Sequence, residues 1–307
     1  MPESSFDGSG TDYRAGFGGG GGSPQWNCRC DVCALFWQGD PRVSVRTQSS
    51  IAVTANGDNW VLLNCSPDVR AQIIQTRALH PKTRRGSPIE GVILTNGDID
   101  HVAGLLSLRE NQPFAIYGTE SVLAEIARNQ MFAVVDKSVV PRQSITLDKP
   151  LAIAGGLLIE PFAVPGKVPL YLESGEIEIG GESGSTIGLK VSSKAAQFLY
   201  IPGCADINAA LRARLKNAPL ILFDGTLWRD DEMVHHKIGS KTGRRMGHVS
   251  MSGPDGSIAR LGDLGIGRKV FTHINNSNPV LIDGSPERRQ AEAAGWEIAY
   301  DGMEIEL

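Results

Sequence analysis

The chain has 307 residues, 41% of them apolar and 21% charged, enough to bury a large core in one α/β domain or in two small ones. A net charge of −4 and an isoelectric point near 5.9 supply no basic stripe for nucleic acid, and no window approaches the roughly 20 apolar residues needed to span a bilayer. Five clustered cysteines do not make a disulfide scaffold, and residues 1–22 carry no basic region followed by an apolar stretch, so the expected location is the cytoplasm.

Residues 1–22 are rich in Gly, Ser and Asp and end in a glycine run over 18–22. They cannot bury enough apolar surface to offset ordering entropy and are expected to be disordered, leaving 23–307 as a single domain with no linker to divide it. Next comes Cys28-Arg29-Cys30-Asp31-Val32-Cys33, three thiols within six residues. Such density reads as three ligands of a structural, tetrahedral zinc; the alternative is a thiol cluster or a disulfide, which a reducing cytosol disfavours. His235, His236 and Asp31 are candidates for a fourth ligand, whereas Cys65 and Cys204 lie beside apolar strands and read as small buried hydrophobes.

Downstream, short β-rich runs alternate with turn signals. Strands are expected at 51–54, 60–64, 91–95, 114–117, 144–147, 157–164, 188–191, 198–201, 220–223, 270–273 and 296–299. Helical periodicity marks 68–75, 102–109, 120–128, 207–216, 256–264 and 286–294. Strand meanders with helices between and after them indicate an α/β fold of two face-to-face sheets with helices outside, an αββα sandwich.

The chemistry concentrates at 94–106, where an apolar strand runs into a loop carrying Asp98, Asp100 and His101 and then into an amphipathic helix. Loop residues past a strand need not alternate faces, so these side chains can converge on one cation. His273 ends the apolar run 270–273 in the same manner. A lone histidine more often caps a helix or bonds a carbonyl, but the Asp100-His101 pair in this context favours a metal. Two imidazoles and one carboxylate with open positions suit ferrous iron as well as zinc. Asp98 is a further ligand or an orienting partner of His101, and Asp224, another strand-end carboxylate, reads equally as a ligand or as a turn cap.

The loop Asn96-Gly97-Asp98-Ile99-Asp100-His101 resembles the His-x-His-x-Asp-His loop of the metallo-β-lactamase fold, with Asn96 and Asp98 in place of the first two histidines. That resemblance implies loss of the first metal position, because residues 162–167 hold no histidine and Pro202-Gly203-Cys204 stands where a bridging aspartate belongs. Asp100, His101 and His273 match the second position, which argues against two-metal hydrolysis. Related phosphodiesterases place a histidine three residues after the last active-site histidine, making Asn276 a candidate ligand of the cysteine zinc.

Ser23-Pro24-Gln25-Trp26-Asn27-Cys28-Arg29-Cys30, Arg46-Thr47-Gln48-Ser49-Ser50, Tyr200-Ile201-Pro202-Gly203-Cys204, Lys241-Thr242-Gly243-Arg244-Arg245-Met246-Gly247-His248 and Phe271-Thr272-His273-Ile274-Asn275-Asn276 together resemble the pyrroloquinoline quinone (PQQ) biosynthesis protein B family over 23–307. The resemblance implies iron- and O2-dependent hydroxylation of the tyrosine ring in a cross-linked Glu-Tyr intermediate. It also implies Fe(II) at the active site with zinc able to substitute in crystals and other PQQ pathway proteins as partners; the oligomeric state, a homodimer among the options, is left open. For the small anionic substrate, Lys241, Arg244 and Arg245 are candidate binding residues, with a solvated basic turn as the plainer reading; His248 is the candidate proton donor or acceptor. The rival readings are a PQQ carrier working toward the periplasm and a mononuclear zinc hydrolase with Asp98 or His248 as base. The family opens with a short apolar strand, and Tyr13-Arg14-Ala15-Gly16-Phe17 differs from it, so the first strand is expected to be absent or replaced, its loss leaving the neighbours unpaired.

Overall fold

The computed structural model describes residues 22–173 and 179–307, and the backbone of residues 12–16. Its strands are β1 (Asp12–Gly16), β2 (Ser50–Val53), β3 (Trp60–Leu63), β4 (Ile89–Ile93), β5 (Ala115–Gly118), β6 (Arg142–Ser144) and β7 (Leu151–Ile153). They continue with β8 (Leu157–Ala163), β9 (Ile187–Ser192), β10 (Gln197–Ile201), β11 (Leu220–Asp224), β12 (Arg268–Thr272), β13 (Trp296–Ile298) and β14 (Met303–Glu306). The helices are α1 (Asp31–Trp37), α2 (Val69–Gln75), α3 (Ile99–Val102), α4 (Glu120–Arg128), α5 (Ala209–Leu215), α6 (Glu232–His235), α7 (Gly243–Met246), α8 (Ser257–Arg260) and α9 (Pro286–Ala293).

The described strands form two seven-stranded sheets, ordered β14-β1-β2-β3-β4-β5-β6 and β13-β12-β11-β10-β9-β8-β7. Alternation along each strand divides the apolar residues between two layers. In β10, Phe198 and Tyr200 join β11 residues Leu220 and Leu222 in the core between the sheets, where Ile51, Val61, Leu63 and Ile93 meet them from the other side. Leu199, Ile201, Ile221 and Phe223 face outward and are covered by Leu211 and Leu215 of α5. On the first sheet's outer face, Trp60, Leu62, Val92 and Ile116 pack with Val69 of α2 and Val122 and Ile126 of α4. Burial on both faces is why these strands read as unbroken apolar runs, and the result is the αββα sandwich.

Each sheet joins a parallel block to an antiparallel one. Strands β3 to β6 run parallel, as do β10 to β13. The two blocks end on the same rim, where loops following β4, β11 and β12 supply the polar side chains described below. Ligand sites at the carboxyl ends of parallel strands are a general property of such sheets.

Several expectations need correction. The first strand is present: β1 pairs antiparallel with β14 and with β2, four register pairs on each side, so β2 and β14 are not left open. Ladder pairing uses backbone groups alone, which is how a sequence poor in apolar residues can fill the place. The disorder expected elsewhere in 1–22 falls outside the described residues. Strands β7 and β14 escape the sequence pattern because each is short, and β6 lies before the expected 144–147 because the apolar Ile145 follows an exposed edge strand. The helix expected at 102–109 begins earlier, as α3, and continues as a 3-10 turn over Ala103–Leu108. Gly104 explains the tight course: a Cβ there would lie 2.0 Å from the Ser66 carbonyl oxygen, so only glycine lets this turn dock on the loop after β3.

Removing residues 1–16 should lower the melting temperature and cost several kcal/mol, since each lost ladder hydrogen bond is worth about 1 kcal/mol. Thermal denaturation of the truncated chain, with dye binding to report exposed strand edges, measures this; an unchanged melting temperature would show that β1 contributes nothing.

Candidate metal centre

Asp100 and His101 occupy the first turn of α3, not a loop, and their position is fixed from both sides. His101 O accepts from Cys65 N at 2.7 Å, Gly104 N donates to Cys65 O at 2.9 Å, and Ile187 N donates to Thr95 O at 2.9 Å across the sheets. His273 follows β12 directly and adopts φ 55°, a left-handed conformation that costs a non-glycine residue strain and occurs where side-chain aim matters. Asp100, His101 and His273 bring three ligand atoms within 4.8 Å of one another.

The hydrogen bonds decide which nitrogen each imidazole offers. Asn96 Nδ2 donates to Asp98 Oδ2 at 2.9 Å, which turns Asn96 Oδ1 toward His101 Nδ1 at 2.6 Å. His101 therefore carries its proton on Nδ1, and its Nε2 is buried with no hydrogen-bond partner. Thr226 works in the same way on His273. Its hydroxyl lies 2.7 Å from Asp224 Oδ1, to which it donates, and accepts from His273 Nδ1 at 2.9 Å. His273 Nε2 then faces Asp100 Oδ2 at 3.0 Å, and His101 Nε2 lies 3.9 Å from the same oxygen.

Two lone pairs and a carboxylate oxygen crowded together require a proton or a cation between them. In the metal-free protein the proton goes to His273: burial opposes its charge, but the hydrogen bond and charge of Asp100, with Asp224, raise its pKa. Burial outweighs the carboxylates at His101 and pushes it down to about 4, so this ring stays neutral. Asp100 is held well below the usual carboxylate range, burial notwithstanding, by His101 and His273. Ligands about 2.0–2.2 Å from one ion sit about 3–3.5 Å apart, so the set fits a divalent metal.

A second group, Asp224, His248 and His273, also converges within 4.8 Å. It is a hydrogen-bond assembly. Asp224 accepts from Cys204 N at 2.9 Å, Thr226 N at 3.0 Å, Thr226 Oγ1 at 2.7 Å and His248 Nδ1 at 2.7 Å, and burial notwithstanding its pKa stays low because His248 pairs with it. In this arrangement Asp224 orients Thr226 and His248 through its hydrogen bonds. Asp98 does not join the ligand cluster: its carboxylate is turned to Asn96, and burial with the charge of Asp100 raises its pKa.

The basic loop separates into two parts. Arg245 forms a bidentate ion pair with Glu173 at 3.0 and 2.9 Å, joined by Lys167 at 3.0 Å and Lys241 at 3.8 Å. Arg245 and Lys167 hold the Glu173 carboxyl down at about 2. Arg244 lines a cavity of about 620 Å³ with Arg229, Asp255 and Arg260, to which Lys241 and Arg245 do not contribute.

At the cysteines, the three sulfurs lie within 4.8 Å of one another and none is in a disulfide. Burial raises the Cys30 thiol, while at Cys28 the hydrogen bonds from Cys30 outweigh burial and lower it. Asn276 does reach this cluster: its Nδ2 lies 3.3 Å from Cys33 Sγ and its backbone oxygen 3.5 Å from Cys30 Sγ. Rotating the amide presents its oxygen instead, so the arrangement fits a thiolate-bound zinc with Asn276 beside it. Asp31 and His236 are 3.8 Å apart in a different pair and lie outside the cluster.

Thr226, Lys167 and Glu173 were not anticipated from sequence. Thr226 carried a faint signal, an Asp-Gly-Thr at a strand end, whereas Glu173 acquires its role from Arg245, 72 residues away, and Lys167 through its bond to that same Glu173.

A family model described as beta-lactamase superfamily domain matches residues 59–274. Coenzyme PQQ synthesis protein B of Methylorubrum extorquens is 52% identical over 293 residues, spanning 95% of this chain and 98% of its own. Its counterpart in Xanthomonas oryzae pv. oryzae is 51% identical over 294 residues with the same shares. The solved structure of Zn(2+)-bound PqqB from Methylobacterium extorquens superposes with a TM-score of 0.95 at 51% identity, covering 96% of this chain and 100% of that one. A diphosphatase of the PhnP family, at 18% identity and a TM-score of 0.69 over 97% of each chain, shares the fold.

Thr226→Val should weaken metal binding at the histidine site about 10–100-fold while Thr226→Ser retains it, as competition with a chromophoric chelator will report; equal affinities would remove Thr226 from the site. The pH dependence has a definite sign. The raised pKa of His273 stabilises the metal-free fold below its unfolded pKa, a contribution lost as pH rises through the folded value. Metal must displace that proton, so affinity should fall roughly tenfold per pH unit below the folded pKa, with a flat profile counting against the assignment.

Proposed function

The chain belongs to the coenzyme PQQ synthesis protein B family within the β-lactamase superfamily, with a metal-dependent role in PQQ biosynthesis, and we propose that it hydroxylates the tyrosine ring of the cross-linked Glu-Tyr intermediate using Fe(II) and O2. The observation that carries this reading is the donor set. One carboxylate and two imidazoles, Asp100, His101 and His273, face a single cation position, and the side chains beside it are committed elsewhere: Asn96 to His101, Asp98 to Asn96 and Asp224 to His248. A clamp of two metals about 3.5–4 Å apart would have to share His273 and draw on Asp224 and His248, which are hydrogen-bonded to each other. A mononuclear centre of this composition keeps positions open for O2 and substrate.

Asp100, His101 and His273 would hold ferrous iron, which would supply the activation of dioxygen. The chain's own groups do the remainder. His248 donates from Nδ1 to Asp224, which leaves Nε2 as the acceptor for a proton of the phenol, and Asp224 stabilises the imidazolium that results. Lys167, Lys241 and Arg245 bind the carboxylates of the substrate. No described helix is long and apolar enough to cross a membrane, and we place the reaction in the cytoplasm among the other proteins of the pathway. One observation favours a second reading, a mononuclear zinc hydrolase: the Asp224–His248 pair is equally built to take a proton from water.

Protein loaded anaerobically with ferrous iron and then given oxygen and the Glu-Tyr cross-linked substrate should consume O2 and add oxygen atoms detectable by mass, with zinc-loaded protein inert. Absence of oxygen uptake in a folded, iron-loaded sample would sink the hydroxylase and advance the hydrolase. Asp100→Ala and His273→Ala should each lose the active-site iron and retain the cysteine-bound zinc by elemental analysis; full occupancy of both sites in both variants would overturn the ligand assignment.

A further inference from the structure

The carboxylate of Glu173 sits where three cations converge. Arg245 grips it with two prongs, Nη1 to Oε1 at 3.0 Å and Nη2 to Oε2 at 2.9 Å. Lys167 Nζ reaches Oε1 at 3.0 Å, and Lys241 Nζ stands 3.8 Å from Oε2. The side chains of Glu173 and Lys167 are only 9% and 10% exposed, whereas Lys241 and Arg245 stand about one-third open. Three positive charges around one negative charge exceed what a structural ion pair requires, and the surplus is accessible from one side.

This cluster adjoins the metal centre along two routes. The Lys167 stem packs on Gly247, which has φ 89° and would bring a Cβ within 3.1 Å of Lys167 Cγ, and the next residue is His248. Tyr171, two residues before Glu173, donates to Gly97 O at 2.8 Å in the loop that leads to Asp100 and His101. The seat and the proposed reaction centre are therefore held by the same pieces of chain.

We propose that the Lys167, Lys241 and Arg245 seat is a carboxylate-binding site, and that Glu173 fills it as an internal stand-in displaced by a carboxylate of the incoming ligand. The inference rests on the polyanionic substrate class of the preceding reading. Exchanging one carboxylate for another keeps the ion pairs of the seat, and the released Glu173 is solvated by water, so the exchange costs little beyond ordering the ligand. Without an occupant, three like charges would repel one another across a half-buried site. The stand-in keeps the cations aimed before substrate arrives. The ligand class is a small molecule bearing two or more carboxylates, one of them bound bidentately by Arg245.

Calorimetric titration of zinc-loaded protein with glutarate, with uncharged glutaramide as control, tests the exchange. Glu173→Gln keeps the shape and removes the competing charge, so glutarate should bind about tenfold tighter, while Arg245→Met and Lys167→Met should weaken it tenfold or more with metal content unchanged. Glutarate binding no tighter to Glu173→Gln than to the parent, or an equal gain for glutaramide, would overturn the proposal. If Glu173→Gln melts early, Glu173→Asp, one methylene too short for the bidentate pair, takes its place with the same two outcomes. Zinc-loaded protein performs no oxygen chemistry, so a tenfold gain beside a failed hydroxylation assay would sink the hydroxylase and keep the seat, and the reverse pattern would do the opposite.

Discussion

Asp100 Oδ2 and His273 Nε2 meet at 3.0 Å from opposite sheets, and the centre is organised around that contact. Both atoms are acceptors in the tautomer that Thr226 imposes, so the pair is stable only with a positive charge shared between them. A proton satisfies the pair, and a divalent cation also satisfies the otherwise partnerless Nε2 of His101. Everything that fixes these atoms therefore acts on metal binding: the docking of α3 on the loop after β3, the strained backbone of His273, and the hydrogen bonds behind each ring.

The supporting hydrogen bonds are asymmetric in a way that assigns roles. Behind His101 stands a neutral amide, Asn96, while behind His273 and His248 stands Asp224, acting directly on one and through the Thr226 hydroxyl on the other. Each backing group fixes which ring nitrogen its imidazole offers. His248, with the direct contact to Asp224 and a partly exposed ring, is the histidine suited to proton transfer. Cys204, in the loop after β10, donates its backbone N–H to Asp224 and so helps fix that carboxylate.

Charge is distributed with equal economy. The metal site gathers Asp98, Asp100 and Asp224 in a small volume, and the cations of Lys167, Lys241 and Arg245 are tied to Glu173 nearby. The two clusters are joined at Gly97 through Tyr171 and at Gly247 through Lys167. An anionic ligand spanning them would meet positive charge at both ends, the bound metal at one and the seat at the other.

The sheets were legible in the sequence because buried strands write their own pattern: runs such as 220–223 and 198–201 are apolar on both faces and cannot be surface segments. The candidate ligand cluster was legible too, since Asp100, His101 and His273 stand at ends of such runs and converge within 4.8 Å, as do the thiols, whose spacing is local. Strand β1 was not legible, because its place depends on backbone edges offered by β2 and β14, which no side-chain pattern reports. The choice of ligand against orienting group for Asp98 and Asp224, the tautomers, and the division of Lys241 and Arg245 from Arg244 all turn on where a side chain points after distant segments meet. Sequence determines which residues stand at the strand ends, because hydrophobic periodicity is local; only the tertiary structure decides what each one faces, because a hydrogen bond or an ion pair exists only between atoms that folding has brought within about 3 Å.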